Sequence, residues 1–214
     1  VILDITGDLD SGDYTGTISK ENIKKVQIGS NVTRIDTNAF LRCEALQSIN
    51  IPDSVTYIGV NAFLGCKALQ SINIPDSVTI IESSVFDNCE ALQSINIPDS
   101  VTIIEHFAFA DCSTLQSVTI PASVESIGIS SFTRCTSLQS VTIPASVKSI
   151  ADNAFTDSSL TTVQLMSLDT ETNLSISVGE GQDFFGATNV TILAPETPTV
   201  FTNLIGNTFE ANLT

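Results

Sequence analysis

The chain has 214 residues, 42% of them hydrophobic, with 24 acidic against 8 basic side chains and a formal net charge of -16. That apolar share fills a sizeable core and excludes a disordered chain, while the acidic balance argues against nucleic acid or anionic lipid as partner. One histidine, one methionine and no tryptophan leave little for acid–base or metal chemistry. No apolar run reaches the roughly 20 residues that span a bilayer, so direct membrane insertion is not expected, and the opening VILDITGDLD lacks the basic and apolar regions of a secretion signal.

Residues 1–22 read as an N-terminal cap. Ile2, Leu3 and Ile5 form a strand pattern, followed by the turn-like run Asp8-Leu-Asp-Ser-Gly-Asp13. That run resembles the start of a calcium loop, but its fifth and sixth positions are in reversed order and Ser19 stands where the loop requires glutamate. Turn chemistry accounts for it, and calcium binding by the acidic turns is left open.

From residue 23 the chain matches itself at an offset of 23. Ile28, Ile51, Ile74, Ile97, Ile120 and Ile143 fall in register, as do Phe40, Phe63, Phe86, Phe109, Phe132 and Phe155. Cys43, Cys66, Cys89, Cys112 and Cys135 follow, with Ser158 in the sixth slot, and Leu46, Leu69, Leu92, Leu115 and Leu138 complete the frame. Residues 23–165 are therefore six units of one solenoid, because no single unit can bury its apolar face alone. The sixth unit is one residue short between Phe155 and Leu160. Residues 166–214 read as a degenerate repeat, with Phe185 to Pro195 echoing part of a unit, and a C-terminal cap.

Within a unit, Leu46 to Ile51 alternates apolar Ile49 and Ile51 with polar Ser48 and Asn50, which predicts a half-buried strand. Proline at 52, 75, 98, 121 and 144 ends the ladder and opens a turn. Val55 to Ile58 predicts a second short extended segment. From Asn61 to Leu69 the apolar residues Ala62, Phe63, Cys66 and Leu69 predict a short helical turn with one buried stripe.

The five cysteines, evenly spaced by 23, lack the close pairs of structural zinc sites and are expected to be a buried ladder of free thiols. Asp53, Asp76 and Asp99 recur in the proline turn and should form a solvated row. His106 occupies a slot that elsewhere holds Val60, Ser83, Ile129 and Asp152, so it is expected to be a solvated or half-packed residue rather than a catalytic one. No carboxylate pair stands apart from the others. Neither a catalytic site, a metal site nor a cofactor is expected, and the chain is not read as an enzyme.

If the strand isoleucines point inward, outward positions form parallel columns across the coils: Ser48, Ser71, Ser94, Ser117 and Ser140, beside Asn50, Asn73, Asn96, Thr119 and Thr142, flanked by Gln47, Gln70, Gln93, Gln116 and Gln139. This flat, polar, nearly uncharged face is the candidate binding surface, and a self-stabilising side-chain ladder is its bland alternative. The variable stretches at 59–61, 82–84, 105–107 and 128–130 are a second place where specificity can reside.

Units such as Ile51-Pro-Asp-Ser-Val-Thr-Tyr-Ile-Gly-Val-Asn-Ala-Phe-Leu-Gly-Cys-Lys-Ala-Leu resemble the BspA-like leucine-rich repeats of surface proteins from oral and gut bacteria and some parasitic protists. The resemblance covers residues 23–165. It implies an α/β repeat solenoid, a right-handed leucine-rich-repeat coil of short strands and short helical turns. It also implies a secreted or cell-surface location and adhesion to host or microbial surface and matrix proteins; no residue-specific role carries over. The alternative reading is a structural spacer of a larger surface protein, with no ligand of its own.

Overall fold

The computed structural model describes residues 2–5, 19–166, 175–176, 191–194 and 208–211. Six coils stack so that each contributes a strand to a long-strand face, a two-residue strand to a short-strand face, and a run of turns to a third side.

All strand pairing is parallel, as expected when each coil returns to the same place one unit later. On the long-strand face Ile2–Ile5 pairs with Lys25–Ile28, which pairs with Ser48–Asn50. Asn73 makes a single bridge to Asn96, so the ladder is thinnest at that coil. Ser94–Asn96 pairs with Ser117–Thr119, and Ser140–Ile143 continues through Thr162–Leu165 and Thr191–Ala194 to Thr208–Ala211. Ser94 faces Ser117, 23 residues on, but Ser140 faces Thr162, only 22 on: the residue missing from the sixth unit is taken out between two strands without breaking the ladder. The short-strand face runs from Arg34–Ile35 to Tyr57–Ile58, and separately from Ile80–Ile81 through Ile103–Ile104, Ser126–Ile127 and Ser149–Ile150 to Ser175–Ile176. The calcium-like run Asp8 to Asp13 and the echo at 185–190 lie outside the described residues.

The core is a set of columns that run through the stack. Ile49, Ile51, Val55, Ile58, Phe63, Cys66 and Leu69 and their counterparts between residues 23 and 160 are all buried. The six phenylalanines form one continuous pile, with ring centroids 5.1 to 5.6 Å apart and planes within 16° of parallel. β-Branched residues line the strands, where a pleated surface suits them, and the aromatic column fills the wide part of each coil next to the turns.

The predicted helical turn is the point where the structure differs from the sequence reading. Its stripe is buried as expected, but among the described residues the only helix is a single 3-10 turn at Lys20–Asn22. In the turn run the amides alternate. Ala62, Leu64 and Cys66 donate to the carbonyls of Gly59, Asn61 and Phe63 three residues back, while Asn61, Phe63 and Gly65 donate to Ser83, Val85 and Asp87 of the next coil. An α-helix would spend all these donors internally and leave nothing to join the coils. The alternation is achieved by two left-handed residues per coil, as at Asn61 and Gly65, with φ of 57° and 73°.

Serine, rather than aspartate, anchors the proline turn. The hydroxyls of Ser54, Ser77, Ser100 and Ser123 donate to the carbonyls of Val32, Val55, Val78 and Val101 in the preceding coil at 2.6 to 3.1 Å. Asp53, Asp76 and Asp99 stand exposed beside them.

Candidate functional site

The long-strand face presents the expected polar columns. Ser71, Ser94, Ser117 and Ser140 are exposed and Ser48 is half-buried; Asn50, Asn73, Asn96, Thr119 and Thr142 are exposed, as are Gln47, Gln70, Gln93, Gln116 and Gln139. Alternation puts them there, since the intervening residues, such as Ile49, Ile95, Val118 and Val141, are buried. Parallel pairing sets equivalent residues opposite one another, Ser94 against Ser117 and Asn96 against Thr119, about 4.8 Å apart. None of these fifteen side chains makes a hydrogen bond within the described residues, unlike the serines of the proline turn. Their donors and acceptors are open to solvent or to a partner.

The cysteines sit elsewhere. All five are free and buried in the column beside the phenylalanines. The thiols of Cys66, Cys89, Cys112 and Cys135 donate to the carbonyls of Phe40, Phe63, Phe86 and Phe109 in the preceding coil at 3.2 to 3.3 Å. At the shortened sixth unit, Ser158 instead donates to Phe155 of its own coil at 2.6 Å. Burial pushes the Cys43 thiol up to about 11 and that of Cys135 up to about 12, so these groups are neutral and unreactive at ordinary pH.

His106 is half-exposed and structural. Its Nδ1 accepts the backbone N–H of Ile129 in the next coil at 2.9 Å, and its Nε2 lies 3.9 Å from Glu105. Gly128 is the partner of this arrangement, because a Cβ there would come within 2.6 Å of backbone and 2.9 Å of His106 Nδ1. Next to it, Phe107 has φ of 56° in the slot filled elsewhere by Asn38, Asn61, Ser84, Ser130 and Asn153. A bulky aromatic residue is out of place there. Sequence reading marked 105–107 and 128–130 as variable but missed this detail; the signal was a phenylalanine in a column of asparagines and serines.

On the turn side Arg134 bridges to Asp111 of the preceding coil at 2.8 and 2.9 Å. Asp87 lies close by, and burial, then the Asp111 charge, pushes its carboxyl up to about 6. Among the described residues no group of three His, Cys, Asp or Glu side chains is placed to hold a metal ion, and no helix is long and apolar enough to cross a membrane.

The profile of the BspA type leucine rich repeat region matches residues 15–120 and 58–176, in six copies. A leucine-rich repeat protein of T. pallidum is 32% identical over 66% of this chain and 72% of its own, with a TM-score of 0.61. A leucine rich cell surface protein of Faecalibacterium prausnitzii is also 32% identical, over 81% of this chain, with a TM-score of 0.69; this chain spans 48% of that one. A leucine-rich repeat protein from Bacteroides ovatus shares the fold at 21% identity, covering 98% of this chain and 68% of its own, with a TM-score of 0.57. No curated protein matches.

Proposed function

The chain belongs to the BspA-type leucine-rich repeat family, and from that premise we propose that it is a secreted or surface-exposed module that binds proteins of a host or neighbouring microbe through its long-strand face. The observation that carries this reading is the set of fifteen polar side chains, all but the half-buried Ser48 exposed, that make no hydrogen bond among the described residues. A face of that kind suits an extended polar partner, since successive coils offer serine, glutamine and asparagine or threonine groups at a fixed spacing of about 4.8 Å. The cell-surface description of the Faecalibacterium relative supports the location.

The test is a pull-down on immobilised extracellular-matrix and serum proteins. The wild-type chain should retain at least one of them, and the triple variant Ser94→Glu, Asn96→Glu, Ser117→Glu should lose it with an unchanged circular dichroism spectrum. Ala122→Asp with Ala145→Asp is the charged control, because the same turn slot already holds Asp53, Asp76 and Asp99. Retention of nothing by the wild-type chain would assign it the role of a spacer. Equal loss in both variants would indicate general repulsion instead of a site.

A further inference from the structure

We propose that the edge where the short-strand face meets the turn run, in the middle of the stack, is a separate docking site, for a basic segment of a partner polypeptide that seats an apolar side chain on Phe107 and Ile129 and brings its lysines or arginines to Glu82 and Glu105. This goes beyond the strand-face reading and uses a different side of each coil.

Phe107 and Ile129, 43% and 39% exposed, are with Met166 the only large apolar side chains so open among the described residues. They are neighbours across one coil interface: the Phe107 N–H donates to the Ile129 carbonyl, and the Ile129 N–H to His106 Nδ1, both at 2.9 Å. This ring adds little to folding compared with the buried phenylalanines. It is not in the core, and it holds a left-handed backbone that asparagine would take with less strain.

Charge identifies the occupant. Between Lys67 and Arg134 the chain has eight acidic residues and no lysine or arginine. Glu82 and Glu105 fill the same slot in adjacent coils, directly before the His106–Phe107 ridge. Two residues earlier, on the short strands, Ile80 and Ile103 are half-buried and leave apolar surface open. The two carboxylates thus lie between apolar ground on both sides. The aliphatic stem of a lysine or arginine can cover isoleucine while its head reaches a carboxylate. Burial and the Glu105 charge raise the Glu82 carboxyl, as befits a group without a cation of its own. The pair has fixed limits, because the same slot holds Gly59 in the coil before and Gly128 in the coil after, where a Cβ would come within 2.6 Å of backbone.

The probe is a fluorescein-labelled peptide of Arg, Lys and Leu, read by anisotropy, with an Arg–Lys–Ser peptide of equal charge and a Glu–Leu peptide as controls. Wild-type protein should bind the first, and Phe107→Asn should weaken it about tenfold or more while raising the melting temperature, because the slot is relieved of its ring. Glu82→Gln with Glu105→Gln should weaken binding and flatten its salt dependence. The strand-face triple variant should bind the peptide as wild type does, which separates this site from the strand face. Undiminished binding by Phe107→Asn, or equal binding of the Arg–Lys–Ser peptide, would overturn the proposal. So would absence of peptide binding together with a sedimenting dimer that Phe107→Asn dissociates, since the occupant would then be a second copy.

Discussion

All five buried thiols fill the column beside phenylalanine, and four of them, from Cys66 to Cys135, also hand a hydrogen to the coil before. Native protein should therefore react slowly with a thiol reagent and unfolded protein at five sites; rapid native labelling of all five would place the column wrongly. The same burial sets an alkaline limit. The thiols hold their protons in the folded chain above the ordinary value of 9.0, to about 11 at Cys43 and about 12 at Cys135. Their contribution is thus complete below pH 9 and is lost as pH rises through those values, by up to about 1.4 kcal/mol per thiol per pH unit. Urea midpoints should fall steadily above pH 9. Asp87 works in the acid range with the same sign: its folded carboxyl is raised to about 6, so stability is greatest below the ordinary 3.8 and declines as pH rises to 6. Asp87→Asn should therefore raise the melting temperature at pH 7 and leave it nearly unchanged at pH 3.

At the level of one coil, the phenylalanine pile and the strand surface make opposite demands. Phe86 touches rings above and below it, at 5.6 and 5.5 Å, so Phe86→Ala opens a void in two interfaces and should cost about 3–5 kcal/mol in denaturant unfolding. Asn73→Ser lies on the exposed face and should cost within about 0.5 kcal/mol; equal losses would contradict the inward and outward assignment. The strands were readable because a period of two has one interpretation when Ile49 and Ile51 flank Asn50. The turn run was not. A buried stripe at Ala62, Phe63, Cys66 and Leu69 arises equally from an α-helix and from turns closed three residues back. What distinguishes them is the left-handed residue recurring every unit, at Asn38, Asn61 and Asn153, and again at Gly65, Asn88, Asp111 and Asp157. Those residue types tolerate that conformation, and only their alignment across units reveals it. The serine of each proline turn was likewise visible as a repeat, but its bond to the preceding coil depends on stacking distance, which composition does not carry.

Over the whole stack, the polar columns of the candidate face followed from register alone, whereas the ridge at Phe107 and Ile129 did not, because hydrophobic residues are expected inside until a structure shows one outside. Neighbour-only contacts make the molecule quasi-linear. Removal of residues 70–92 joins Leu69 to Gln93, and Leu-Gln is already the junction of the intact chain. This shortened protein should fold with one cooperative transition and a moderately lower melting temperature. Removal of Ser94 alone should cost far more, since it throws rings, thiols and turn amides out of step together. Ser158 shows how that happens naturally: where the sixth unit loses one residue, the donor turns back to Phe155 of its own coil. The chain therefore keeps time in whole units. Its reach is a quantity that changes in increments of one coil, about 4.8 Å each, and a repeat protein built this way can be made longer or shorter without any new interface having to be invented.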